Sequence, residues 1–150
     1  MKMRGFQRWR SDCGQNLVEF SLISFMFIIV LFGVVEMGRM VLVYTTIANA
    51  ARAGARYAIV HGGDRTGSGV NGPSGPGSTT QIQTVVKNFA SAGLLNTSNL
   101  TITVSYPNGN NYAGSKVDVT VSYTYDPLIS YFNTILNTVF GSTSEGVITF

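Results

Sequence analysis

An uncharged apolar run from Phe20 to Val35 limits what this chain can become more than anything else in it. With its flanks, residues 17–37, it amounts to about 21 residues, or roughly 31 Å of helix, enough to cross a hydrocarbon core of about 30 Å once. The whole chain has 150 residues, so about 90 remain to build a water-soluble core, the size of one small domain. Scarcity of charge, 11% of residues, follows from that span and from a Gly/Ser/Thr/Asn-rich remainder, without disorder being needed.

Charge is unevenly placed. Lys2, Arg4, Arg8 and Arg10 against Asp12 carry the entire formal +3 before Gly14, and six basic and six acidic residues follow. A nucleic-acid partner would call for a basic patch on the folded part. Here the cations instead precede the apolar run, where positive charge holds an N-terminus in the cytoplasm and sends the C-terminal part outward. Arg39, Arg52 and Arg56 on the far side weaken that bias.

Residues 1–14, MKMRGFQRWRSDCG, are short and basic, end in glycine and contain no apolar core. An ordinary secretory signal carries its apolar region before the cleavage site and loses it on cutting. In this chain the apolar run follows the candidate site, so a cut after Gly14 makes Gln15 the new N-terminus and leaves the helix on the mature protein. Cys13 is the sole cysteine, which excludes an intramolecular disulfide and an all-cysteine metal site.

Glu19 is the odd residue, since a carboxylate at mid-bilayer costs roughly 2.5 to 3.5 kcal/mol on insertion scales and less near an interface. It has two readings. It can snorkel to the cytoplasmic headgroups, or, as the fifth residue of the cut chain, pair with the terminal ammonium of a neighbouring subunit. Pairing would neutralise both charges in apolar surroundings and leave both bare in a misregistered neighbour.

These residues carry a resemblance. Gly14, four residues, then Glu19-Phe20 and the apolar run resemble the class III signal sequence of type IV pilin-like proteins. The continuation Phe32-Gly33-Val34-Val35-Glu36-Met37-Gly38-Arg39, then Ala48-Asn49-Ala50-Ala51-Arg52-Ala53-Gly54-Ala55-Arg56-Tyr57-Ala58, is similar to the TadE-like minor pilins, or pseudopilins, of tight-adherence (Flp) pili. The resemblance implies cleavage between Gly14 and Gln15 by a prepilin peptidase, and an assembly role for Glu19 with Phe20. It also implies as partners the major Flp-type pilin, other minor pilins, an inner-membrane assembly platform and the lipid bilayer. The implied location is the inner membrane, single-pass with the C-terminal head outside, with possible entry into an extracellular pilus.

Beyond the span, Met40, Tyr44, Ile47, Ala51, Gly54 and Ala58 recur at three and four residues, while Asn49, Arg52 and Arg56 line another face. That pattern extends the helix to the end of a 15–60 segment. Glu36 and Arg39, three apart, can close the outer end of the span as an interfacial pair or serve contact with a partner subunit. Alanines and Gly54 let another element approach closely, either the protein's own head or a neighbouring helix.

Residues 61–80 are glycine-rich and read as a loop or flexible excursion. Gly67, Gly69 and Gly72 spell a literal G-x-G-x-x-G, but a helix precedes and Pro73 follows, which is not the strand–turn–helix that a dinucleotide needs. The head, residues 81–150, begins with an amphipathic helix over 80–93, with Ile82, Val85, Val86 and Phe89 inward and Gly93 as cap. Alternating strands follow over 100–106 and 116–125, joined by Asn-Gly turn chemistry. Residues 128–140 form a second short helix or an irregular apolar excursion, and 146–150 a last strand. The expected fold is α+β: a long N-terminal pilin-type helix packed on an antiparallel sheet of about three strands, with one or two short helices.

Catalytic chemistry is not legible. His61 is the lone histidine, and Asp64, Asp118 and Asp126 read as loop or strand-edge residues rather than paired acids. No catalytic, cofactor or metal residue is assigned, and no small-molecule substrate. The alternative to a pilus subunit is a single-pass anchored binding or scaffold protein that never polymerises.

Overall fold

The computed structural model describes residues 12–128 and 138–149. Helix α1 runs Asp12–Val60, and α2 runs Thr80–Ala92. Strands β1 (Leu100–Ser105), β2 (Lys116–Thr124) and β3 (Val139–Val147) form one antiparallel sheet in the order β1-β2-β3. The chain is therefore α+β, with the sheet packed against helices. It divides into two compact units, one reaching to Gly38 and the other starting at Arg39.

In the first unit the large apolar side chains of the helix are exposed among the described residues. Leu17 to Val35 include Phe20, Phe25, Phe27 and Phe32, each between 48% and 72% exposed. A helix that is apolar on every side and buried in no protein suits a hydrocarbon solvent.

In the second unit α1 turns one-sided. Val43, Ile47, Ala50, Ala51, Ala55 and Ala58 are buried, whereas Asn49, Arg52 and Arg56 are exposed. Steps of three and four put the buried set on one stripe. Tyr44, expected on that stripe, is instead 52% exposed, because Val43 takes the inward position one residue earlier.

The sheet presents Val117, Val119, Val121 and Tyr123 of β2 to the helices, and its other face carries Thr101, Thr103, Thr120 and Thr143. Alternate residues of a strand point to opposite faces, so the valines and the threonines separate cleanly. Three residues of α2, Ile82, Val86 and Ala90, close the core. Phe89, expected inward, is 42% exposed, and Ala90 occupies the inward position where α2 comes close to its neighbours.

Two glycines set how tightly these layers meet. A Cβ on Gly54 would stand 2.5 Å from Val86 Cγ2 and 3.1 Å from Val119 Cγ1, so α1 touches both α2 and β2 with its backbone at that point. On β3, a Cβ on Gly146 would stand 2.6 Å from Ile59 Cδ1. The small residues of the outer helix thus seat this chain's own sheet and second helix.

The last strand differs from expectation. It spans Val139–Val147 rather than residues 146–150, pairing with the whole of β2 from Lys116↔Val147 to Thr124↔Val139. Serine, threonine and glycine dominate it, and such residues give little alternating apolar signal from which a strand could be read. Phe140, placed by sequence at the end of a possible helix, is a β3 residue packed edge-on to Tyr125 with ring centroids 5.7 Å apart. The rest of that expected helix, residues 129–137, lies outside the described residues.

The glycine-rich stretch is pinned at its middle. Ser74 donates from its N–H and its Oγ to the His61 carbonyl at 2.6 and 2.9 Å, and Asn111 Nδ2 donates to the Ser74 carbonyl at 2.8 Å. Gly63 N–H donates to the Asn111 carbonyl at 2.7 Å. Gly75 lies so close to Asn111 that a Cβ there would be 2.8 Å from Nδ2. These bonds satisfy buried backbone groups that a solvent-swept loop would leave to water.

Candidate functional site

The segment that sequence singles out lies near the start of α1. Gly14, Gln15, Val18, Glu19, Leu22 and Ile23 line one open concavity of about 520 Å³. Positions 15, 19 and 23 are separated by four residues each, so Gln15, Glu19 and Ile23 share one helix face. Glu19 and the 72% exposed Phe20 both face outward, so the carboxylate is held by a surface available to another molecule.

Gly14 is helical, with open space where a Cβ would stand. Glycine in a helix costs about 0.5 to 1 kcal/mol relative to alanine. Among the described residues neither packing nor backbone conformation repays that cost at Gly14. At Gly33 and Gly38, likewise, an added Cβ would meet nothing within 4 Å, in contrast with Gly54.

Arg39 opens the second unit and is aimed at the end of β2. Its Nη2 donates to the Asp126 carbonyl at 3.4 Å, and its guanidinium carbon stands 5.5 Å from the centroid of the Tyr125 ring, a cation–π distance. Glu36 is half-buried in the preceding turn. Sequence placed Arg39 with Glu36; its long-range partners in Tyr125 and Asp126 could not be read from a spacing of three.

Of the comparisons with known proteins, the one with protein families finds a match. Residues 14–56 match the family model of TadE-like proteins. Over that segment the chain is similar to TadE-like proteins. The match begins at Gly14 and ends at Arg56, two residues after the Gly54 contact, so it takes in the exposed apolar helix and most of the stripe that seats the sheet. No curated protein and no solved structure matched the chain.

His61 ends the helix as a structural residue. Its ring stacks on Tyr57 with centroids 3.8 Å apart and planes 12° from parallel, and its Nδ1 donates to the Tyr57 carbonyl at 2.8 Å. A carbonyl can only accept, which places the proton on Nδ1. Nearby, Tyr106 is buried with no hydrogen bond to Oη among the described residues, and that burial pushes its phenol pKa up. Among the described residues no three His, Cys, Asp or Glu side chains gather as metal ligands would.

One exposed residue escaped the sequence reading. Helix α2 ends with Leu94 N–H donating to the Ser91 carbonyl at 3.0 Å and Leu95 N–H to the Ala90 carbonyl at 3.1 Å, the paired bonds of a Schellman motif. Its left-handed position, usually glycine, is Leu94 at φ 62°, and the side chain is 92% exposed. Gly93, expected as the cap glycine, sits one residue too early for that conformation. Its glycine has another cause: a Cβ there would be 2.4 Å from Thr46 Cγ2 of α1. The left-handed conformation costs a side-chain-bearing residue about 1 to 2 kcal/mol.

Proposed function

We propose that this TadE-like chain is a minor pilin or pseudopilin, a structural subunit or assembly factor of a tight-adherence (Flp) pilus. The observation that carries the reading is the change of character along α1: apolar and exposed on every side through Val35, then one-sided and buried from Val43. A lone membrane anchor needs the first property, and a pilus subunit uses the same surface twice, against lipid before assembly and against neighbouring helices after it.

In this reading a prepilin peptidase cuts between Gly14 and Gln15, leaving the whole apolar helix on the mature subunit. The new ammonium then stands at Gln15, and Glu19 offers a carboxylate on the same helix face. Paired between subunits, the two charges leave water together and fix the register of neighbouring helices. The head faces away from the cytoplasm, and its partners are the major pilin, other minor pilins and the inner-membrane assembly platform. The protein acts by packing and has no enzymatic role.

Shearing pili from cells and probing the sheared fraction for the chain tests this function. Its presence there in the cut form is expected. Strict retention in the membrane would instead favour an anchored scaffold that is never incorporated. Glu19→Ala should insert in the membrane as well as the parent, because losing a charge lowers the cost of insertion by up to about 3 kcal/mol at mid-bilayer. Its incorporation into sheared pili should drop severalfold; unchanged incorporation would remove the pairing role.

A further inference from the structure

Arg52 and Arg56 stand one turn apart on the exposed face of α1, turned away from the stripe that seats the sheet. Like charges four residues apart on a helix repel. Among the described residues neither arginine has a carboxylate within salt-bridge reach, and Arg52 Nη1 donates instead to Asn49 Oδ1 at 3.1 Å. The polar face of the sheet carries the converse arrangement. Asp118 of β2 is directly opposite Glu145 of β3, and like charges so placed also repel. The two carboxylates share one cation: Lys116 is ion-paired with Glu145, and Asp118 adds to the field on the same ammonium. That face therefore keeps a surplus of negative charge, and the helix face a surplus of positive charge.

We propose that the head binds a second copy of this chain head to tail, the Arg52–Arg56 face of one copy lying on the Asp118–Glu145 face of the next. Both faces belong to the unit that starts at Arg39, so the contact requires nothing of the apolar part of α1. The spacings match. Cβ atoms four residues apart on a helix are about 5 to 6 Å apart, and those of directly opposed strand residues about 4.5 to 5.5 Å. Each guanidinium can then meet one carboxylate through paired N–H donors, and each repelling pair relieves the other. The buried core lies between the two faces, so one head cannot satisfy its own charges in this way. Joining unlike faces gives a chain of subunits that need not close on itself.

The surfaces suit each other in shape as well as charge. Thr120, Gly141 and Thr143 beside the carboxylates are small, and Ala48 lies one turn before Arg52, so a helix can approach the strands closely. A phosphate-bearing surface would use the arginines and leave the acidic face unmatched, whereas a second copy uses both. Exposed ion pairs are weak singly, so the contact is weak in dilute solution and sensitive to salt. It adds to the proposed pilus role without resting on it.

The test uses the full chain in non-ionic detergent, with micelles in excess over chains so that the apolar helices stay apart. Cys13→Ser with Tyr112→Cys places one label on an exposed residue between β1 and β2, and donor-labelled and acceptor-labelled pools are mixed. Energy transfer is expected at low ionic strength and should fall severalfold in about 1 M salt, where the screening length is about 3 Å. Arg52→Glu with Arg56→Glu should lower transfer severalfold, and so should Asp118→Arg with Glu145→Arg. Mixing these two variants in equal amounts should restore it, because each then meets opposite charge on both faces. Near-ultraviolet circular dichroism like that of the parent checks each fold. Should the arginine-bearing sheet variant fail to fold, Asp118→Asn with Glu145→Gln takes its place and should also lose transfer. Absence of transfer in the parent, parent-like transfer in any of these variants alone, or no recovery in the mixture of two folded variants overturns the contact. Finding the chain in sheared pili beside such a result leaves the pilus role standing, and recovery in the mixture with no chain in sheared pili leaves the contact without that role.

Discussion

Gly14→Phe leaves the chain uncut. In cells that contain the peptidase, intact mass should show the parent chain without residues 1–14 and the variant with them, an all-or-none difference. The structure makes this outcome specific, because a side chain at Gly14 meets nothing within 4 Å and its backbone is ordinary helix. The variant therefore folds and inserts as the parent does, and by helix propensity its helix is slightly firmer. Glycine is required at that position only if something outside the chain must approach it closely. Normal cutting of Gly14→Phe would place the processing site elsewhere or remove it.

Gly54→Val produces the opposite result, a failure of the head with processing intact. Even the first added carbon would stand 2.5 Å from Val86 Cγ2 and 3.1 Å from Val119 Cγ1, closer than carbons tolerate. Overpacking of this kind costs about 1 to 3 kcal/mol and occasionally more, which is a large part of the stability of a small domain. Gly54→Ala should lose less, since alanine recovers up to about 1 kcal/mol of helix propensity. Adding Val86→Ala to Gly54→Ala should restore part of the loss, and Gly38→Ala, open on all sides, should cost nothing. Thermal unfolding of the full chain in detergent, followed by near-ultraviolet circular dichroism, separates these variants. Equal midpoints for Gly54→Ala and Gly38→Ala would mean that the close contact of α1 with α2 does not exist.

Much of this was readable from sequence, for physical reasons that differ along the chain. The long helix was legible because apolarity on every side and then a three-four stripe of alanines leave few alternatives; it runs to Val60, where the stripe had put its end at about Tyr57 to Val60. Strands β1 and β2 were legible because their valines and isoleucines alternate with threonines. Strand β3 was not, since Ser142, Ser144 and Gly146 occupy its inward positions opposite Val121, Val119 and Val117 and give no apolar alternation. Residues Gly14, Gln15, Glu19 and Phe20 could be singled out because a lone carboxylate in an apolar run stands out against its surroundings. Leu94 could not, because the pair Gly93-Leu94 reads as an ordinary helix end until the contact of Gly93 with Thr46 shows why the two residues cannot exchange places.

The core of the head is completed from outside the head's own sequence segment. Ile47, Ala51 and Ala58 belong to α1, yet they fill the space under Val117, Val119 and Val121. A protease that nicks the exposed glycine-rich turn near Gly69–Asn71 therefore cuts the chain without releasing anything. The two fragments should stay together through the shared core and part only in denaturant, so that the head cannot be shed into the medium by a single cut in that loop. A soluble version of the head has to begin near Arg39 and carry the outer half of the helix with it.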